Sequence, residues 1–234
     1  MAQILDTDYV GDSLDKLLLN SNTTVNLTSS QTATQIQAEI NAQPKNLNGY
    51  DLTFQFADGT YALDAALTFK GFHGGTFKIY GNASDNSLST SKSVDLTFNN
   101  NTSGIIVDSC SRVEIYYCDI SHNTDVNTTY GVHATDIPDI YVRYCYIHGN
   151  SNVRGSNAQF LRSLGVFRDN YVSNVQYALF VANSATIYCQ NCDDTGTQPA
   201  YGLYSVGAST IGKNGTQPSG STANESSASG GVIR

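Results

Sequence analysis

Tyrosines, arginines and short polar residues stand at recurring places in this 234-residue chain. Tyr116, Arg143, Arg168 and Tyr188 each follow an apolar residue of a short strand-like run by one place. Asp119, Tyr146, Tyr171 and Asn191 follow it by four. Aromatic faces stack on sugar rings, and guanidinium, carboxylate and amide groups bond sugar hydroxyls or carboxylates, so the eight in line would form a glycan-binding strip. The same pattern also suits a surface of β-favouring tyrosines with Arg–Tyr stacking between turns.

Catalytic chemistry is harder to find. Asp193 and Asp194 form a tandem acid pair, and glycoside hydrolysis needs two carboxylates about 5–9 Å apart. They are weak candidates, because no His or Arg accompanies them and Asp-Asp-Thr-Gly reads as a turn. Asp119, Asp136, Asp139 and Asp169 with Arg143 and Arg168 could supply calcium ligands and a base, but they share no column. The five cysteines include one Cys-x-x-Cys, Cys189 and Cys192, without a second ligand pair, and the four histidines lack metal-site spacing. The reading is no metal and no cofactor, with reduced cysteines used for packing.

These residues are aligned by a repeat. From Gly104 to Gly215, units open on an apolar strand at Ile105, Val132, Gln159, Leu179 and Leu203. Each continues to a second strand at Ile115, Val142, Phe167, Ile187 and Ile211. Spacings of roughly 20 to 27 residues, alternation of period two and no helical pattern predict an all-β fold, a parallel β-helix. Three places beyond the second strand stand Cys118, Cys145, Asn170, Gln190 and Asn214. Extended back to Asn82 and Asn99, that column reads as an amide ladder interrupted by cysteines. Ile106, His133, Phe160, Phe180 and Tyr204 then point outward, and a row this apolar marks an oligomer interface. Gln159 in an inward slot signals a register slip in that rung.

Around the repeat lie three further segments. Residues 28–44 predict a short capping helix: Thr32 with Gln35 makes a capping box, Ile36 and Ile40 lie a turn apart, and Pro44 stops it. Residues 1–27 read as an attachment or oligomerisation segment, 45–214 as the β-helix, and 215–234 as a low-complexity tail, the alternative being a final extended segment that docks Val232 and Ile233 on the body. A net charge of −8 without a basic stripe argues against nucleic acid. No apolar run is long enough to span a membrane, and the first residues do not read as a secretion signal.

The segment VGDSLDKLLLN resembles N-terminal peptides of bacteriophage tail fibres and tailspikes. GTYALDAALTFKGFHGGTFKIYGN and the repeats after it resemble right-handed parallel β-helix proteins, which include pectate-lyase-like enzymes and phage tailspikes. The resemblance implies a right-handed solenoid assembling as a homotrimer. It also implies partners in cell-surface polysaccharide and, through the N-terminal segment, other tail proteins. The Gly-His-Gly and Arg-x-Lys of the family's pectin hydrolases are absent. The expectation is therefore a phage or prophage tail-fibre or tailspike-like structural protein, in the virion tail or made in bacterial cytoplasm. The alternatives are a polysaccharide lyase or glycoside hydrolase on the same fold, or a bacterial surface adhesin.

Overall fold

Period-two burial turns these strands into walls. In Asp51–Phe56 the side chains of Leu52, Phe54 and Phe56 are buried and the intervening ones are not, and Val94–Phe98 and Ile140–Arg143 alternate alike. Strands with one covered face need a common interior. The chain provides it as a right-handed parallel β-solenoid of about eight turns. The computed structural model describes residues 17–99, 103–123, 130–149, 156–194 and 196–234.

Between the first turn, where the helix follows the sheet 1 strand, and the last, which has no sheet 2 strand, each turn visits three parallel sheets in a fixed order. Among the described residues, sheet 1 has nine strands: Thr23–Leu27, Asp51–Phe56, Thr76–Tyr80, Val113–Tyr116, Ile140–Arg143, Leu164–Arg168, Thr186–Gln190, Thr210–Asn214 and Val232–Ile233. Sheet 2 has six, from Gly59–Leu63 to Asp193–Asp194, and sheet 3 has seven, from Leu67–Lys70 to Ala223–Ala228. Stacked rings fill the first turns: Phe54 meets Phe69 and Phe77 edge-on at 5.5 and 5.6 Å, and Phe72 stacks on Phe77 at 4.9 Å.

A single left-handed residue recurs at the corners between sheets 1 and 2: Tyr117, Tyr144, Asp169 and Asn191, with φ of 65°, 55°, 52° and 49°; Gly215, at 67°, leaves sheet 1 in the same way on the last rung. Such a residue costs roughly 1–2 kcal/mol when it is not glycine, so its recurrence marks a bend that pairing on both sides holds in place. Between sheets 3 and 1 the corner varies in length. Thr135 and Ile140 pair with Leu161 and Gly165, so five steps on one rung face four on the next.

That short corner overturns one expectation. Phe160 pairs with Ala134 and Val181, faces inward and is wholly buried against Phe167 at 6.3 Å. Gln159 takes its place in the outward column between His133 and Phe180. The amide ladder also fails. The inward corner column is Cys118, Cys145, Asn170 and Cys192, all buried. Leu96 belongs to sheet 2, where it pairs with Tyr61 and Ile120, which removes Asn99. Gln190 and Asn214 lie outside on sheet 1. Asn170 satisfies its polarity by donating to the Val142 carbonyl and accepting from the Cys145 amide, both at 2.9 Å. Burial pushes the Cys145 thiol up to about 11 and Cys118 well above its ordinary value, so these groups stay protonated and inert.

Both ends differ from their sequence outlines. The capping helix α1 (Ala33–Ala42) has the expected box between Thr32 and Gln35, with Ile36 and Ile40 buried. It lies beside Leu67–Lys70, where the Gln37 side chain accepts from the Thr68 amide at 2.8 Å and donates to its carbonyl at 2.9 Å. Within 1–27, Thr23–Leu27 is the first strand of sheet 1, while residues 1–16 lie outside the described residues. The segment 215–234 is not a free tail. Ala223–Ala228 pairs with Tyr201–Val206, and Val232–Ile233 with Thr210 and Ile211, as a last rung. No described helix is long and apolar enough to cross a membrane.

Candidate functional site

Parallel register sorts the outer face of sheet 1 into two columns. One runs Lys78, Glu114, Tyr141, Val166, Tyr188 and Gly212, and the other Tyr80, Tyr116, Arg143, Arg168, Gln190 and Asn214. Between them lies a depression of about 220 Å³ lined by Tyr116, Tyr141, Arg143, Val166, Arg168, Tyr188 and Gln190. A second, of about 330 Å³, continues past Leu164, Thr186, Thr210, Gly212 and Arg234. Tyr188 borders both and is 41% exposed. Gly212 lies directly under it, since a Cβ there would sit 2.8 Å from the Tyr188 ring. The groove crosses six strands from Tyr116 to Arg234, roughly 24 Å at about 4.8 Å per rung.

Its electrostatics centre on one buried acid. Arg143 and Arg168 are direct register partners, and both donate Nε to Asp169 Oδ2 at 3.0 Å. Asp169 is 8% exposed and also accepts from Asn191 Nδ2. Arg143 lies 4.3 Å from the centre of the Tyr144 ring and donates to its hydroxyl. Burial, then the Glu114 charge, pushes Tyr116 up to about 12, so it stays neutral at pH 7. Tyr80 stacks on Tyr116 at 5.1 Å and donates to Glu114.

The structure thus gathers four of the eight residues predicted for the strip, with Tyr188 one column away from Arg168. The alignment that pairs Ile187 with Phe167 is two residues out, because Cys189 holds that inward place. An offset of two preserves the face, so Tyr188 still points outward. The other four are not in this groove. Asp119, Tyr146 and Tyr171 form a column on sheet 2, beyond the left-handed corner, and Asp193 completes it. Asn191 is a corner residue.

Elsewhere the predicted residues take ordinary places. Asp194 accepts from the Ser219 amide and hydroxyl, tying down the last rung, and Asp193 accepts from the Asp194 amide. On sheet 3, Ile106, His133, Phe180 and Tyr204 share one half-buried outward column. Phe180 stacks on Tyr204 at 5.4 Å, and Tyr177 stacks on Tyr201 at 5.2 Å.

Sequence reasoning missed a polar cluster on sheet 2. Asp95 and Asp119 are register partners on adjacent strands. His148 Nε2 lies 3.0 Å from Asp119 Oδ1, and its ring stacks on Tyr146 at 4.3 Å. The available signal was His148 standing two places after Tyr146, hence on the same face. Among the described residues no group of three His, Cys, Asp or Glu side chains could hold a metal ion. The site defines the molecule as a β-solenoid with an aromatic, arginine-bearing groove along its axis. Compared with known proteins, the chain matches no family model, no curated protein and no solved structure.

Proposed function

We propose that this chain is a phage or prophage tail-fibre or tailspike-like subunit that binds cell-surface polysaccharide and assembles as a homotrimer. The observation that carries it is the sheet 1 groove: an extended, open trough with an exposed Tyr188 platform suits a polymer better than a small molecule. The aromatic outer face of sheet 3 supports the assembly, since Tyr and Phe are enriched where subunits meet. The N-terminal segment would attach the trimer to other tail proteins. Titration of the purified chain with bacterial surface polysaccharides by calorimetry tests the reading. Saturable binding is expected, weakened roughly tenfold by Tyr188→Ala (about 1.4 kcal/mol of lost stacking). A panel with no saturable ligand would overturn it.

One observation favours a second reading, an enzyme acting on glycans. Asp95 and Asp119 face each other across adjacent rungs, a backbone spacing of about 4.8 Å that suits the carboxyl separation of about 5–5.5 Å in retaining glycosidases. Burial raises Asp119, as a general acid requires. Release of reducing ends that Asp119→Asn abolishes would establish it.

A further inference from the structure

Resting on the glycan-binding reading of the sheet 1 groove, we infer that its ligand carries a carboxylate: an acidic sugar unit seats on Arg168 while a neighbouring ring lies on Tyr188. Arg143 and Arg168 are held side by side on adjacent rungs, roughly 4.8 Å apart in the backbone. Two like charges at that spacing repel, and the fold offsets them with one carboxylate, Asp169, shared through both Nε atoms. The balance at this point is two positive charges to one negative. Glu114, one rung from Arg143 and two from Arg168, is paired with Arg112 and accepts from the Tyr80 hydroxyl.

The two guanidiniums are not equivalent. Arg143 spends a terminal nitrogen on the Tyr144 hydroxyl and stacks on that ring. The terminal nitrogens of Arg168 have no partner among the described residues, and its side chain is 38% exposed beside Tyr188 and Gln190. With Nε anchored, Arg168 presents an oriented fork, the geometry that receives a carboxylate through two parallel hydrogen bonds. The net charge of −8 sharpens the choice, because the rest of the surface disfavours an anionic polymer and this groove does not.

Gly212 fixes the second contact. Any side chain there would strike the Tyr188 ring, so glycine lets the ring lie over the next rung, between the two depressions. The acidic unit and the stacked unit therefore follow one another along the solenoid axis.

The test is calorimetric titration with three sets of oligosaccharides matched in length: uronate oligomers (galacturonate, alginate and hyaluronan), neutral oligomers (cello-, xylo- and malto-) and sulfated oligomers. At least one uronate should bind tenfold or more tighter than any neutral oligomer. Arg168→Gln should remove that preference, Arg168→Lys should restore part of it, and thermal scans should show all three proteins equally folded. Tyr188→Ala should weaken every bound oligomer. Neutral oligomers bound as tightly as uronates, with Arg168→Gln changing neither, would overturn the inference and leave glycan binding standing. Equal, Arg168-dependent binding of sulfated oligomers would make charge rather than the carboxylate the determinant, and would also overturn it. No binding in any set would remove both readings.

Discussion

Asp119 and His148 show how a solenoid surface holds a charge it half buries. Burial opposes the charge on His148, yet the Asp119 contact and the Gly149 carbonyl outweigh it and raise its pKa. Asp119 is also raised, chiefly by burial, so the aspartate does not gain from the pair as an exposed one would. Lys92, held by the Asp85 and Ser87 carbonyls, and Asp95 add opposing fields. A raised histidine contributes stability in full below its unfolded value of 6.5 and loses it as pH climbs through the folded value. A raised aspartate loses stability as pH rises from 3.8. The melting temperature should therefore fall as pH rises from 6.5 through the folded value, and His148→Gln should flatten that slope in thermal scans. Equal slopes in both proteins would refute the pairing. At this scale the sequence was legible by face more than by column. Tyr188 was assigned two residues out and kept its face, whereas Phe160 was one residue out and changed sides.

Among the elements, α1 stands where a strand of sheet 3 would otherwise precede Leu67–Lys70. Gln37 completes the substitution, its amide giving Thr68 the donor and acceptor that a neighbouring strand would have supplied. Edge strands left open recruit other chains. Gln37→Ala should cost about 1–3 kcal/mol through the two unpaired backbone groups, although alanine is the better helix former. It should also produce larger species in size-exclusion chromatography, and an unchanged elution and melting temperature would dismiss the role. The helix itself could be read from sequence because a capping box is local. The last rung could be read only at Val232 and Ile233, as the alternative to a tail: Ala223–Ala228 is polar and largely exposed, and it joins sheet 3 through backbone pairing that composition does not encode. The left-handed corners were equally hidden, since Tyr, Asp, Asn and Gly share a conformation there and not a chemistry.

For the molecule as a whole, interior and exterior carry separate information. Alternation within strands, recurring at spacings of roughly 20 to 27 residues, was enough to predict the parallel solenoid, while the groove needed the register of six strands at once. Light scattering at micromolar concentration should give three times the 25.1 kDa chain mass, and Phe180→Asp with Tyr204→Asp should return it to one by charging the sheet 3 face. A monomer in the unaltered protein would exclude the trimer. The corner between Leu161 and Gly165, where Arg162 is left-handed at φ 47°, closes the turn with one residue fewer than its neighbours, yet the strands on either side stay paired. A solenoid whose corners absorb such a difference can gain or lose residues there without realigning its walls. These corners are where lineages of this protein can lengthen, and where a foreign peptide could be inserted for display.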